Sequence, residues 1–189
     1  MNPVRFIELA CTNPVNRSIL GRMPGLGLSD AWLVAGSLFQ TVWNERTGRR
    51  PCHGIRDYDI FYFDPDVSWD AEDRVIGRCA SAFGDLGVKV EVRNQARVHL
   101  WYRERFGADY PPLGCSTNAI DRFLAPTCMV GIAPMATGMQ VYAPFGFGDV
   151  EALIVRPNLC PNFRADRYVE KAARWKQCWP ELTVISAWA

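Results

Sequence analysis

The sequence predicts an α/β (α+β) domain: a short mixed or antiparallel sheet flanked by helices, set on one side. Three observations predict it. Residues 57–63, Asp-Tyr-Asp-Ile-Phe-Tyr-Phe, form an aromatic, β-favouring run. Val88-Lys89-Val90-Glu91-Val92 alternates apolar and charged residues, the period of a strand with one polar face. Segments of helical length, several with capping residues at their starts, stand around these runs. A chain of 189 residues, 49% hydrophobic and 22% charged, is expected to be one domain over 1–189. That composition excludes a disordered chain, a fibrous protein and a coiled coil.

The elements follow in order. Residues 1–30 read as an interrupted helical segment, with Asn13 and Asn16 as caps and Pro24, Gly25 and Gly27 as breakers. A short apolar run, residues 31–35, ends at Gly36-Ser37, and Leu38 to Asn44 opens as a helix directly behind it. A loop with Gly48, Pro51 and Gly54 leads to the strand at 57–63, which Asp64-Pro65-Asp66 ends. Ser68 caps a helix reaching Phe83, with Asp70, Glu72 and Asp73 at its positive end. The alternating strand follows, then a helix expected over Arg93 to Phe106, a Pro-containing loop, and a helix from Ser116 to Leu124. Gln140 to Ala143 reads as a strand and 144–149 as a tight turn. Ala165 to Cys178 is the last helix, with Lys171, Arg174 and Lys176 toward its negative end, and the 160–189 segment is expected to pack onto the domain.

Charge and cysteine usage narrow the classes. Basic and acidic residues number 21 and 20, a net charge of +1, so any anion site is local and nucleic-acid binding has no support from net charge. Seven scattered cysteines without a CxxC, beside two histidines, argue for reduced core thiols and against a structural zinc site. No secretory signal and no long apolar run are visible, which gives a cytoplasmic expectation and no membrane partner. The tryptophans 32, 43, 101, 175 and 179 read as packing residues, and His53 and His99 as structural rather than catalytic.

One constellation carries chemistry. Asp57 and Asp59, one residue apart on a strand, point to the same face. Their mutual repulsion is relieved by a divalent cation, and Mg²⁺ favours a few carboxylates plus substrate phosphates. Glu91 on a neighbouring strand can reach that face, and three carboxylates suit a pair of ions about 4 Å apart. Gly36 permits close approach of a ligand, and the helix behind Ser37 presents free N–H groups to an anion. Arg93 and Arg97 follow Glu91 and are candidates to hold phosphates.

Gly36-Ser37, Asp57-Tyr58-Asp59 and Glu91, in that order, resemble the pattern of the polymerase-β-like nucleotidyltransferase superfamily. More narrowly, the chain resembles a bacterial family of small nucleotidyltransferase-like proteins, through residues 32–37, 40–44, 56–62, 91–102, 142–146 and 155–158. A weaker similarity reaches the head domains of CCA-adding enzymes and poly(A) polymerases, through 143–150 and Arg156. There Ala143 replaces an aspartate and the base-reading Arg-Arg-x-Asp motif is absent, with Arg93-Asn94-Gln95 nearby. The resemblance implies a head domain with extra helices, an NTP donor and Mg²⁺. It implies transfer of a nucleoside monophosphate to an acceptor the sequence does not identify, by two-metal-ion catalysis. Asp57, Asp59 and Glu91 are then the catalytic and metal-holding residues, and Gly36, Ser37, Arg93 and Arg97 bind the nucleotide. The alternative is a non-catalytic nucleotide-binding or regulatory module on the same fold, favoured by Glu91 standing where an aspartate is commoner. An RNA-binding face over Arg93 to Arg105 is a third reading, opposed by the net charge.

Overall fold

The computed structural model describes residues 1–187; positions 188 and 189, the end of the expected C-terminal segment, lie outside the described residues. Two helices, α1 (Pro3–Ala10) and α2 (Pro14–Arg22), start on a proline and are capped by the Asn2 and Asn13 side chains. Asn16 does not cap; it lies inside α2, fully buried, and donates to the carbonyls of Ala10 and Ser37, each at 3.0 Å.

Strand β1 (Trp32–Val34) passes into α3 (Gly36–Arg46) through one residue, Ala35. Then come β2 (Tyr58–Tyr62), α4 (Trp69–Phe83), β3 (Val90–Asn94), α5 (Val98–Phe106) and α6 (Ser116–Ile120). The chain continues through β4 (Gly131–Pro134), β5 (Met139–Tyr142), α7 (Gly148–Glu151), β6 (Ile154–Val155), α8 (Ala165–Cys178) and β7 (Thr183–Val184). Five strands form one sheet in the order β3-β2-β1-β4-β5, with β2 and β3 parallel and the other pairs antiparallel. The sheet is therefore mixed. Strands β6 and β7 form a separate parallel pair.

Period-two alternation sorts β2. Tyr58, Ile60 and Tyr62 are buried on one face, where Asn13 Nδ2 donates to the Tyr58 hydroxyl at 3.2 Å. Asp59 and Phe61 are half-buried on the other. Phe39 and Trp43 of α3 pack edge-on against Trp175 of α8, and Trp43 against Trp179 just beyond it, at centroid distances of 5.4–5.9 Å, so α8 is fastened to α3.

Two expectations are corrected, and one strand of the larger sheet has no counterpart in the sequence reading. Helices lie on both sides of the sheet: α1 to α4 cover the Tyr58 face, while α5, α6 and α8 border a cleft over the Phe61 face. Arg93 belongs to β3, because β3 pairs with β2 residue by residue up to Tyr62↔Asn94, and the helix starts only at Val98. Strand β4 has no strong local signal. Gly131 and Pro134 read as breakers, yet the strand is buried beside β1, where a side chain at Gly131 would meet Ile120 Cδ1 at 2.9 Å.

Candidate active site

The carboxylates gather on the open face because pairing puts them there. Asp59 lies opposite Glu91 across the β2–β3 ladder and opposite Val34 across β2–β1. Asp57 is one residue before β2 and half-buried. Burial raises the Asp59 carboxyl to about 7, and the charges of Asp57 and Glu91 add to the rise. Lys171 and Lys89 oppose it. Three acidic groups therefore share one field. Glu91 forms ion pairs with Lys89 and, at 4.0 Å, with Arg93. Among the described residues no three His, Cys, Asp or Glu side chains converge as a ligand set for a metal.

The β1–α3 turn is tight. Ala35 carries φ 52°, ψ −112°, a conformation of order 1–3 kcal/mol above the common wells for a residue with a Cβ. Its N–H is tied to the Val130 carbonyl at 2.9 Å. Gly36 and Ser37 open α3, where N–H groups have no intrahelical acceptor. The Ser37 side chain is fully buried, and its hydroxyl has no hydrogen-bond partner among the described residues. Thr41 and Asn16 instead bind its carbonyl, at 2.6 and 3.0 Å.

Beside the carboxylates lies a cleft of about 650 Å³. Arg93 and Phe61, the next residues on the Glu91 and Asp59 face, line it, as do Arg56, Arg122, Arg167, Lys171 and Arg174. Arg56, Arg122, Lys171 and Arg174 have no carboxylate within ion-pair distance among the described residues. The sequence reading missed this cationic wall. It took Lys171 and Arg174 as dipole compensation, although Arg167, Lys171 and Arg174 have the spacing of one helix face.

Arg97 is placed elsewhere. It is 2% exposed, pairs with Glu72 of α4 at 2.5 Å and stacks on Trp69 at 4.3 Å. Glu72 also accepts the Asn94 N–H at 2.9 Å. The pair thus anchors the end of β3 on the helix side and does not line the cleft. His53 packs edge-on against Trp179, and neither it nor His99 lines the cleft. Trp32, Trp43, Trp175 and Trp179 are buried, and Trp101 is a cleft wall. The 155–158 stretch has a positioning role: Asn158 donates to the carbonyls of Asp121 and Phe123, at 3.0 and 2.8 Å, and so fixes the segment that carries Arg122 and Phe123.

A family model of nucleotidyltransferases matches residues 21–184, which include every residue of this site. The chain belongs to the nucleotidyltransferase family. A solved structure described as an NMR structure that reveals a CCA-adding enzyme head domain superimposes with a TM-score of 0.79. It covers 98% of this chain and 97% of its own at 23% identity, a likeness of fold. No curated protein gives a significant match. The nucleotidyltransferase fold and the mixed sheet thus agree with the head domain expected of a polymerase-β-like chain. Among the described residues no helix is long and apolar enough to cross a membrane.

Proposed function

We propose that this nucleotidyltransferase uses an NTP as donor and transfers the nucleoside monophosphate to an acceptor hydroxyl, with Asp57, Asp59 and Glu91 as its acidic centre. The observation that carries the reading is the register that sets Asp59 opposite Glu91, with Asp57 one residue before β2, so that three acidic groups are gathered at one place on the sheet. Carboxylates that repel on one face fit a divalent cation. The three do not converge as a ligand set in this fold, where Lys89 engages Glu91, so a change of side-chain rotamers would bring Asp57, Asp59 and Glu91 onto Mg²⁺, which when bound supplies charge neutralisation for them and for the triphosphate.

The remaining steps belong to the chain. The N–H group of Gly36, at the partly exposed start of α3, receives the terminal phosphates, with the fully buried Ser37 behind it. Arg93, Lys171 and Arg174, which line the cleft, neutralise charge on the triphosphate, a part expected from the sequence of Arg93 or Arg97. The acceptor oxygen attacks the α-phosphorus and its proton passes to Glu91. The bond to the β-phosphate breaks, and pyrophosphate leaves with that electron pair.

The second reading, nucleotide binding without turnover, is favoured by the ion pair that engages Glu91 with Lys89. One experiment separates the two. Thermal shift with ATP, CTP, GTP and UTP, with and without Mg²⁺, is followed by pyrophosphate release on the same samples. The transferase reading expects a Mg²⁺-dependent shift lost in Asp59→Asn, and pyrophosphate once an acceptor is supplied. At about a hundred times the dissociation constant a ligand stabilises by about 2.7 kcal/mol. A shift with no pyrophosphate across a broad acceptor panel assigns the module reading. No shift with any nucleotide overturns the donor assignment.

A further inference from the structure

We infer that the far end of the cleft is a separate seat for the acceptor, a molecule carrying a planar ring and a phosphate group. The inference rests on the transfer reaction proposed above.

The argument starts from order along the sheet. Trp32 pairs with Phe61 and Val34 with Asp59, so the chain that continues from β1 to Gly36 and Ser37 moves away from Phe61. Phe61 and Arg93 pair on the opposite side of Asp59. The carboxylates therefore stand between the helix-opening N–H groups and the cleft. Helix α8 spans the same length. Its start meets α5, where Arg164 donates to the Phe106 carbonyl at 2.6 Å, and its Trp175 meets α3. Lys171, between them on α8, lines the cleft. Donor phosphates on the Gly36 side leave the far end free.

That end is built for a ring and an anion together. Tyr102 lies 4.3 Å from Tyr110 and 4.8 Å from Phe106, centroid to centroid, and Phe123 stacks on Phe61 at 5.7 Å. Such faces take a planar ring by stacking whatever its edge pattern. Arg122 lies over the Tyr110 ring at 5.1 Å. Asn162 Oδ1 accepts from it at 3.4 Å, and it has no carboxylate partner among the described residues. Arg167, on α8, has the exposed Glu170 as its one carboxylate partner among the described residues, at 3.1 Å. Guanidinium groups held this way offer forked donors to a phosphate. Arg164, by contrast, is already committed to Asp166 and Phe106. In the reaction the seated acceptor supplies the attacking hydroxyl oxygen, loses that proton and gains the phosphodiester bond as pyrophosphate leaves.

The test is calorimetry on the whole chain in Mg²⁺-free buffer. The probes are the four nucleoside monophosphates, the matching nucleosides, ribose 5-phosphate and a short ribo-oligonucleotide. At least one monophosphate is expected to bind tenfold or more tightly than its nucleoside and than ribose 5-phosphate. A saturating α,β-methylene NTP with Mg²⁺ should leave that binding in place. Arg122→Lys and Arg167→Gln, the second at an exposed position, should each weaken the monophosphate fivefold or more and the donor analogue less than twofold. Tighter binding of the oligonucleotide assigns the seat to a chain terminus, and equal binding to a free nucleotide; both support it. Displacement of the monophosphate by the donor analogue overturns the proposal, because the far end then holds the donor's own base. Monophosphate binding that neither variant weakens overturns it as well. Monophosphate binding lost in the variants, with no donor binding at all, keeps the seat and sinks the donor assignment instead.

Discussion

Asp59 titrates where few aspartates do, and its environment fixes the sign of a stability effect. Burial comes first and the charges of Asp57 and Glu91 second, and together they put its folded value at about 7 against an ordinary value of 3.8. The folded state thus holds a proton that the unfolded state releases. That contribution is fully present below about pH 4 and is lost as pH rises through 7. Each pH unit between the two values is worth about 1.4 kcal/mol at full effect. Discounted for solvent access, the loss is about 2 kcal/mol, or about 4–8 °C in Tm for a chain of this size. Asp59→Asn, which mimics the protonated form, should melt above wild type at pH 8 in metal-free buffer. The gap should narrow below pH 7 and vanish near pH 4. A gap that stays constant across this range would sink the assignment of Asp59 as the strained carboxyl.

At the scale of elements, two helices hold the edges of the site. Glu72 of α4 binds both Arg97 and the Asn94 N–H, so it fastens β3 where Arg93 enters the cleft. Removing one partner of a buried pair costs about 3–5 kcal/mol. Glu72→Gln should therefore lower the unfolding free energy from urea titration by that amount, with Glu72→Leu/Arg97→Met recovering part of it. A loss under about 1 kcal/mol would show that the pair is not an anchor. The loop before Asp57 is fastened by Trp179, whose indole N–H donates to Asn44 at 2.8 Å and whose ring lies 2.6 Å from where a Gly54 Cβ would stand. Gly54 also has φ +71°, so Gly54→Ala meets a clash and a strained backbone at once and should cost about 3 kcal/mol by the same measurement. These contacts explain what was legible in the sequence. Helix α4 carries its Ser68 cap locally, and both α4 and helix α8 over Ala165–Cys178 carry their periodicity locally. So does the shared face of Asp57 and Asp59. The extension of β3 through Arg93, the existence of β4 and the commitment of Arg97 to Glu72 depend on partners far away in sequence, and no local pattern contains them.

The whole molecule brings its C-terminal helix back across its N-terminal half, and that closure joins the cationic wall to the carboxylates. A net charge of +1 conceals the arrangement, because the arginines and lysines gathered at the cleft are offset by acidic groups elsewhere in the chain. Lys171 is the link: it lines the cleft from α8, has no carboxylate ion pair among the described residues and lowers the Asp59 value. Lys171→Met should therefore push the Asp59 midpoint upward. Read by the pH dependence of the Tm gap between Lys171→Met and Lys171→Met/Asp59→Asn, the midpoint should lie above the wild-type one near 7. Added salt should shrink the difference between the midpoints with and without Lys171, because the Debye length falls from about 10 Å at 0.1 M to about 3 Å at 1 M. Donor affinity should fall in the same variant, and fall less at high salt. An unchanged midpoint together with unchanged donor affinity would mean that α8 closes the core through Trp175 and takes no part in the site.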